Sequence, residues 1–539
     1  MNDTSERRRS IIFMACAVLA VFVYFWGLGD YGFIDPDEGR YAEIPREMIE
    51  TGDYITPRLN YVLYFEKPPL HYWLTAGAFM IFGENEFAGR FFPVMAGLGC
   101  CVLAFVVALK VTRSKYAAGL AGLMLASSIL WFGTSRINTT DMTLTFFFTA
   151  AMTCYYFWNV SGKKSQLLMF YACMAMAVLA KGLIGVVLPG GIALIHLVIT
   201  KQYRKIIPLF SPSAIILFFV IAAPYFVEVC RRNPDYFEFF FIREHFLRYT
   251  TTIHARYEPS WFFIPIIIAG FIPWTGILWD ALRAVFGKCC VIDREAGAFL
   301  GLWLFIPLAF FSASGSKLIT YILPCMPPLA VLSGGAMSIL EGKEFRRFII
   351  ITSVILIPIA ITGLILPSMK NDPDYNAMAI PAIRLSVMLL VFWGMSLFSG
   401  RKENTAEALC VVALLAMFAA SGAFMVEAKL LSRKDIAALI PNDAENIAVF
   451  HNLMQGMSFY TKRRVITADT LNELEFGATH ETSPGWFISG SELRELWHSG
   501  RKVVAVSRRK DMGEGLRGVL ETPPVREWMT SADIMFANF

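Results

Sequence analysis

The chain has 539 residues, 56% of them hydrophobic and only 17% charged. Soluble domains carry about a quarter charged residues, so a wholly soluble protein is excluded. A net charge of +5 is too modest to suggest a nucleic-acid partner.

Apolar runs of the roughly 20 residues that a bilayer core demands recur from Ile11 to Val426. They predict a polytopic α-helical membrane protein of about 13 spans. These fall near 11–28, 88–109, 117–135, 141–160, 166–180, 183–200, 209–229, 260–281, 297–313, 318–339, 348–368, 380–398 and 407–426. The first reads as a retained span rather than a cleaved leader, because no small-x-small cleavage site follows it before Asp30. Lys and Arg concentrate in alternate short loops, at Arg7, Arg8 and Arg9, at Lys110, Arg113 and Lys115, at Lys163 and Lys164, and at Lys201, Arg204 and Lys205. The alternation continues through Arg283, Lys288 and Arg294, then Lys343, Arg346 and Arg347, then Arg401 and Lys402. Positive loops stay cytoplasmic, which puts the N-terminus inside and, after an odd number of spans, the C-terminal region outside. Of ten cysteines, nine lie in or beside apolar segments and none lies in that last region, so disulfides are not expected to hold it.

Two long external loops are expected, 30–87 and 230–259, both rich in charge and aromatics. Residues 1–428 form the expected membrane domain and 429–539 a small soluble α/β domain. Its strands are predicted at 446–451, 464–468, 486–489 and 502–507, with helices near 471–476, 492–497 and 512–519. That alternation argues a partly parallel sheet. Nothing in it resembles a phosphate loop or a nucleophile elbow, so its expected role is structural or regulatory.

The first loop opens Asp35-Pro36-Asp37-Glu38-Gly39-Arg40-Tyr41-Ala42-Glu43. Asp35 suits a helix N-cap and Glu38 its capping box. Asp37 and Arg40 are not explained by capping; three apart, they share a helix face with Glu43 and Glu47, which is either a site or a solvated surface. The loop ends Tyr64-Phe65-Glu66-Lys67-Pro68-Pro69, where the prolines stiffen the path of the Glu66–Lys67 pair. Lys67 reads either as an interfacial anchor or as a phosphate ligand. Asp141 borders a span at its external mouth and Lys181 lies between two spans on that side; charges so placed are functional candidates. With Asp37 and Glu66, Asp141 has the oxygen chemistry of a divalent-cation site, although three scattered carboxylates do not define one. In the second loop His245 and Arg248 share a face; Lys317 and Tyr321 stand at an external span entrance. Few span centres carry charge, unlike a transporter's midplane site. A membrane enzyme acting on a lipid phosphate is expected, with a lipid-linked sugar flippase as the alternative outside the enzymes.

These motifs, Asp37-Glu38-Gly39-Arg40-Tyr41-Ala42-Glu43, Tyr64-Phe65-Glu66-Lys67-Pro68, and Ser316-Lys317-Leu318 with Thr320-Tyr321-Ile322-Leu323-Pro324, resemble the bacterial aminoarabinose transferases of lipid A. That family stands with the protein O-mannosyltransferases among the C-type (GT-C) membrane glycosyltransferases, and the likeness covers nearly the whole chain. It implies transfer of a sugar, 4-amino-4-deoxy-L-arabinose, from undecaprenyl phosphate to lipid A on the periplasmic face of the inner membrane. It also implies Asp37 and Arg40 at the catalytic centre, and Lys67, Arg248, Tyr321 and Lys317 around the carrier phosphate. Tyr64, Lys181 and His245 would line the substrate cavity, and Glu66 and Asp141 a metal site. A relative moving mannose or another sugar onto protein or glycan remains the nearest alternative.

Overall fold

The structure, a computed structural model, describes residues 3–247, 258–286, 291–365, 373–398, 405–481 and 483–539. Among these, eight helices are long and apolar enough to cross a membrane: Arg7–Phe25, Glu86–Thr112, Pro212–Arg232, Arg294–Ala313, Ile319–Ile339, Gly342–Ile365, Met378–Phe398 and Thr405–Leu431. Two bent pairs raise the number to ten, Lys115–Ala126 with Ile129–Ser135 at 62° and Phe263–Gly270 with Thr275–Val285 at 117°. The first bend falls where the Ser127 and Ser128 hydroxyls each donate to a carbonyl four residues back, at 2.6 Å, a local bond that competes with the helix ladder. The second holds Pro273, which has no N–H to continue the ladder. The remaining three predicted spans are helical too, at Thr140–Ser161, Lys164–Lys181 and Ile184–Ile199. Threonines and tyrosines line the first, lysines stand at both ends of the second, and the third is only 16 residues long.

By its contacts the chain divides into two compact units, Met1–Trp26 with Pro93–Gly422, and Gly27–Phe92 with Ala423–Phe539. Residues 27–92 thus fold with the C-terminal region, a division that differs from the expected boundary at 428. In the membrane unit, buried Arg136 donates to the carbonyls of Val23, Tyr24 and Trp26 at 2.8–3.0 Å. It closes the C-terminal end of the first span, where cations suit the helix dipole.

The second unit holds a two-residue-stranded hairpin, β1 (Arg58–Leu59) and β2 (Val62–Leu63), and a six-stranded sheet. Its strands are β3 (Asn446–Phe450), β4 (Ile466–Ala468), β5 (Phe487–Ile488), β6 (Val503–Arg508), β7 (Arg526–Met529) and β8 (Asp533–Ala537), in the order β5-β4-β3-β6-β8-β7. The first four are parallel; β8 runs antiparallel to β6 and β7 to β8. Strand periodicity divides the core. Ala448 and Phe450 face Leu493, Trp497, Leu516 and Leu520 on one side, and Ile447 and Val449 face Ile436, Met454 and Met457 on the other. Helices therefore cover both faces, as a largely parallel sheet requires.

The same unit contains helices Asp37–Thr51 and Leu70–Phe82. The capping box expected at Asp35 and Glu38 does not form: the helix has no side-chain cap bond. Each carboxylate has a stronger partner. Asp35 accepts the Gly456 N–H at 3.0 Å and pairs with Arg433, itself bound to Asp533. Glu38 forms a fully buried ion pair with Arg90 at 2.6 Å and accepts the Ile34 N–H.

Candidate active site

Two groups of the predicted residues assemble, one in each unit, and each is described by itself. In the second unit the site is built on the first turn of Asp37–Thr51. A residue three positions on lies beside its predecessor on a helix, and the Arg40 guanidinium accordingly pairs with Asp37. It also pairs with Glu473, and donates to the Tyr64 hydroxyl at 2.9 Å. Tyr64 is delivered by the hairpin, whose turn residues Asn60 and Tyr61 both have positive φ, the twist-matched form for a two-residue connection. The Asn60 side chain locks that turn, donating to the Val465 carbonyl at 2.8 Å and accepting the Val465 N–H at 3.0 Å. Glu473 sits in a short 3-10 turn beside Leu474, which is buried with Tyr41, Val62 and Tyr64. Gln455 donates to the other oxygen of Glu473.

The group is an electrostatic compromise in a poorly hydrated place. Arg40 is 7% exposed, and burial works against its charge. The Glu473 carboxylate, the Tyr64 and Tyr41 phenols and Asp37 outweigh that and hold the guanidinium protonated. Burial raises the Glu473 carboxyl, opposed by Arg40 and reinforced by Glu66 and Asp37. Burial likewise pushes the Tyr64 phenol well above its ordinary range. Arg40 is therefore committed to two carboxylates and a phenol, and its work is to hold Asp37. The Asp37 side chain is 55% exposed and bonds Arg40 through Oδ1 alone, so its second oxygen faces outward. Lys67 Nζ lies 3.6 Å from the Glu66 carboxylate and donates to the Glu66 carbonyl at 2.9 Å.

The expected common face of Asp37, Arg40, Glu43 and Glu47 divides. Glu43 takes a two-pronged bond from Arg46 at 2.7 Å, and Glu47 accepts the Tyr61 N–H at 3.0 Å. Both are buried structural groups.

In the membrane unit, Asp141 occupies the first turn of Thr140–Ser161 and Lys181 the last turn of Lys164–Lys181. They form an ion pair with both side chains mostly buried. The ammonium also lies 4.7 Å from the centre of the Tyr321 ring, a cation–π distance. Lys317 is 5% exposed and donates to the carbonyls of Glu258 and Ser314, both at 2.7 Å. It thereby fixes the start of the 3-10 stretch Ile319–Cys325 that carries Tyr321. Arg248 and the side chain of His245 lie outside the described residues. Among the described residues no group of three or more His, Cys, Asp or Glu is placed to hold a metal ion. Glu66 pairs with Lys67 and Asp141 with Lys181.

Gln455 and Glu473 were not legible as site residues. Neither belongs to a local pattern, and only the pairing across the chain to Arg40 gives them a role.

Apolar helices below and charged groups at their ends suit a lipid-carried substrate, and the comparisons agree. A model of the dolichyl-phosphate-mannose-protein mannosyltransferases matches residues 12–240. Fold and match together define a multi-pass membrane glycosyltransferase of the GT-C class. A second model, the aminoarabinose transferase C-terminal domain, matches residues 433–518, and the chain resembles the aminoarabinose transferases along most of its length. An undecaprenyl phosphate-alpha-4-amino-4-deoxy-L-arabinose arabinosyl transferase of Aeromonas hydrophila is 29% identical, over 90% of this chain and 92% of its own. One from Proteus mirabilis is 33% identical over 67% of this chain and 65% of its own. The crystal structure of ArnT from Cupriavidus metallidurans bound to undecaprenyl phosphate superimposes with a TM-score of 0.85 at 26% identity, covering 98% of both chains. Its apo form gives 0.83.

Proposed function

We propose that this chain moves 4-amino-4-deoxy-L-arabinose from undecaprenyl phosphate to a phosphate of lipid A, at the periplasmic face of the bacterial inner membrane. The observation that carries the reading is the Asp37 carboxylate, half exposed yet held by a buried guanidinium. The alternation of positive loops supports an internal N-terminus and a periplasmic site.

The acceptor oxygen forms a bond to the anomeric carbon while the bond from that carbon to the carrier oxygen breaks, and its electron pair leaves on undecaprenyl phosphate. Negative charge grows on the leaving phosphate, and fixed cations in a sheltered site stabilise it. Lys67 and Arg248, with the Tyr321 hydroxyl, take that role, and Lys181 stands against the Tyr321 ring. Lys317 acts by positioning Tyr321. Tyr64 and His245 line the sugar's path. A phosphate is already nucleophilic and brings no proton that must be removed, so Asp37 orients the acceptor; toward a hydroxyl acceptor it would serve as general base.

The test is reconstitution with undecaprenyl-phosphate aminoarabinose and lipid A, read by mass spectrometry. Wild type is expected to add one pentosamine mass to lipid A. Asp37→Asn is expected to lose at least 100-fold in rate while inserting normally. Transfer to protein but not to lipid A would replace the acceptor, and full activity of the variant would remove Asp37 from the mechanism.

A further inference from the structure

A cavity of about 660 Å³ lies wholly within the membrane unit, and the transfer chemistry makes no use of it. Its walls include Lys110, Arg113, Lys205 and Glu295 beside Phe157 and Val160. Asn159, also on its wall, and Asp141 sit at opposite ends of Thr140–Ser161. Eighteen residues at 1.5 Å each put them about 27 Å apart, so the hollow opens at the other membrane face. The lysines and arginines of the expected cytoplasmic loops gather there.

Its polar groups are only partly committed. Lys205 Nζ donates to the Asn159 carbonyl at 2.5 Å and to Gln202 Oε1 at 2.6 Å. Glu295 accepts from Asn159 at 3.0 Å and from Gln202 at 2.6 Å, and both bonds fall on Oε1. These bonds brace the floor and leave Glu295 Oε2 without a partner among the described residues. Across the hollow, exposed Lys110 and Arg113 make no side-chain hydrogen bond or ion pair among the described residues. Two open cations, the open oxygen of Glu295 and the exposed Asp293 carboxylate, which accepts the Ala296 N–H at 2.8 Å, therefore face a common space of the size that holds a small ligand. Val160, half exposed on the helix surface, continues the wall toward the lipid.

We propose that this cavity binds the headgroup of a zwitterionic phospholipid of the cytoplasmic leaflet. The phosphate would sit between Lys110 and Arg113, the ammonium on Glu295, and the acyl chains along Phe157 and Val160. An anionic lipid would satisfy the cations but leave the carboxylate facing an uncharged headgroup. A soluble phosphate would gain nothing from the apolar wall.

Native mass spectrometry of the full chain tests this, with phosphatidylethanolamine and phosphatidylglycerol supplied at equal mole fraction. One phosphatidylethanolamine is expected to be retained at least fivefold over phosphatidylglycerol. Lys110→Ala with Arg113→Ala should cut that retention at least fivefold while the protein elutes as an unaggregated peak. Glu295→Gln, which keeps the brace to Gln202, should abolish the preference without abolishing lipid binding. Equal retention of the two lipids, or variants that behave as wild type, would overturn the proposal. So would competition by soluble glycerophosphoethanolamine at matched concentration, since that would locate the affinity in the headgroup alone.

Discussion

Replacing Arg433 by Met should strongly destabilise the second unit. The guanidinium is 1% exposed, with Nη1 bonded to both oxygens of Asp533 at 2.5 Å and Nε 3.3 Å from Asp35. Removing one member of a buried ion pair costs about 3–5 kcal/mol, because the partner is left charged and unpaired. Here two carboxylates would be stranded. For a unit of this size that corresponds to roughly 6–20 °C in Tm. The loss should also depend on pH. Burial already pushes Asp35 up to about 6, and raises Asp533 as well. An acid whose folded pKa lies above its unfolded value binds protons more readily when folded, so stability rises as pH falls from about 6 toward 4. The variant lacks the cation that opposes this rise and should recover on acidification. Hydrogen exchange of the β3 and β8 amides, corrected for intrinsic rate, measures both effects at pH 7.5 and 5. Adding Asp35→Asn and Asp533→Asn should restore more than half of the loss. A cost below about 1 kcal/mol, far under that of a broken buried pair, or a variant that weakens further in acid, would refute the reasoning.

Glu473→Gln removes one of the two carboxylates on Arg40 while keeping a hydrogen-bonding oxygen. Charge-assisted bonds contribute about 1.5–3 kcal/mol, so turnover should fall about 10- to 100-fold, with undecaprenyl-phosphate binding changed far less in a filter assay. Lys181→Met keeps the bulk beside Tyr321 but strands Asp141, and carrier affinity should fall about tenfold or more on the same scale; unchanged affinity would free Lys181 of that role. Gly39→Ala should leave the second unit misfolded, as judged by proteolysis. Its methyl would run into Asp35 Oδ1 and the Gly456 backbone, and backbone cannot swing aside.

The spans were legible because the bilayer imposes one length and one polarity on every crossing segment. The parallel strands were legible because a sheet covered on both faces reads as a near-continuous apolar run, as in residues 503–506 of Val503–Arg508. The closing pair β7 and β8 was not foreseen. β7 is mostly exposed along Arg526–Met529, and the polar composition of an edge strand looks like loop. Asp37 and Arg40 stood out because helical spacing links them locally. Asp35 and Glu38 misled for the same reason: local rules offered a cap, whereas partners 52 to 421 residues away claimed both side chains. Glu473 was invisible to any rule that looks only along the chain.

Arg40 and its partner Glu473 are separated by 433 positions, and between them the ribosome must deliver every crossing from the second to the last. At about 5–20 residues per second that takes roughly 20–90 s. A half-made molecule on the insertion machinery thus carries Asp37, Arg40 and Tyr64 but lacks Glu473, and Arg40 keeps only its nearer partners. Competence arrives with the final domain, so a truncated product can occupy the membrane without acting on its lipids.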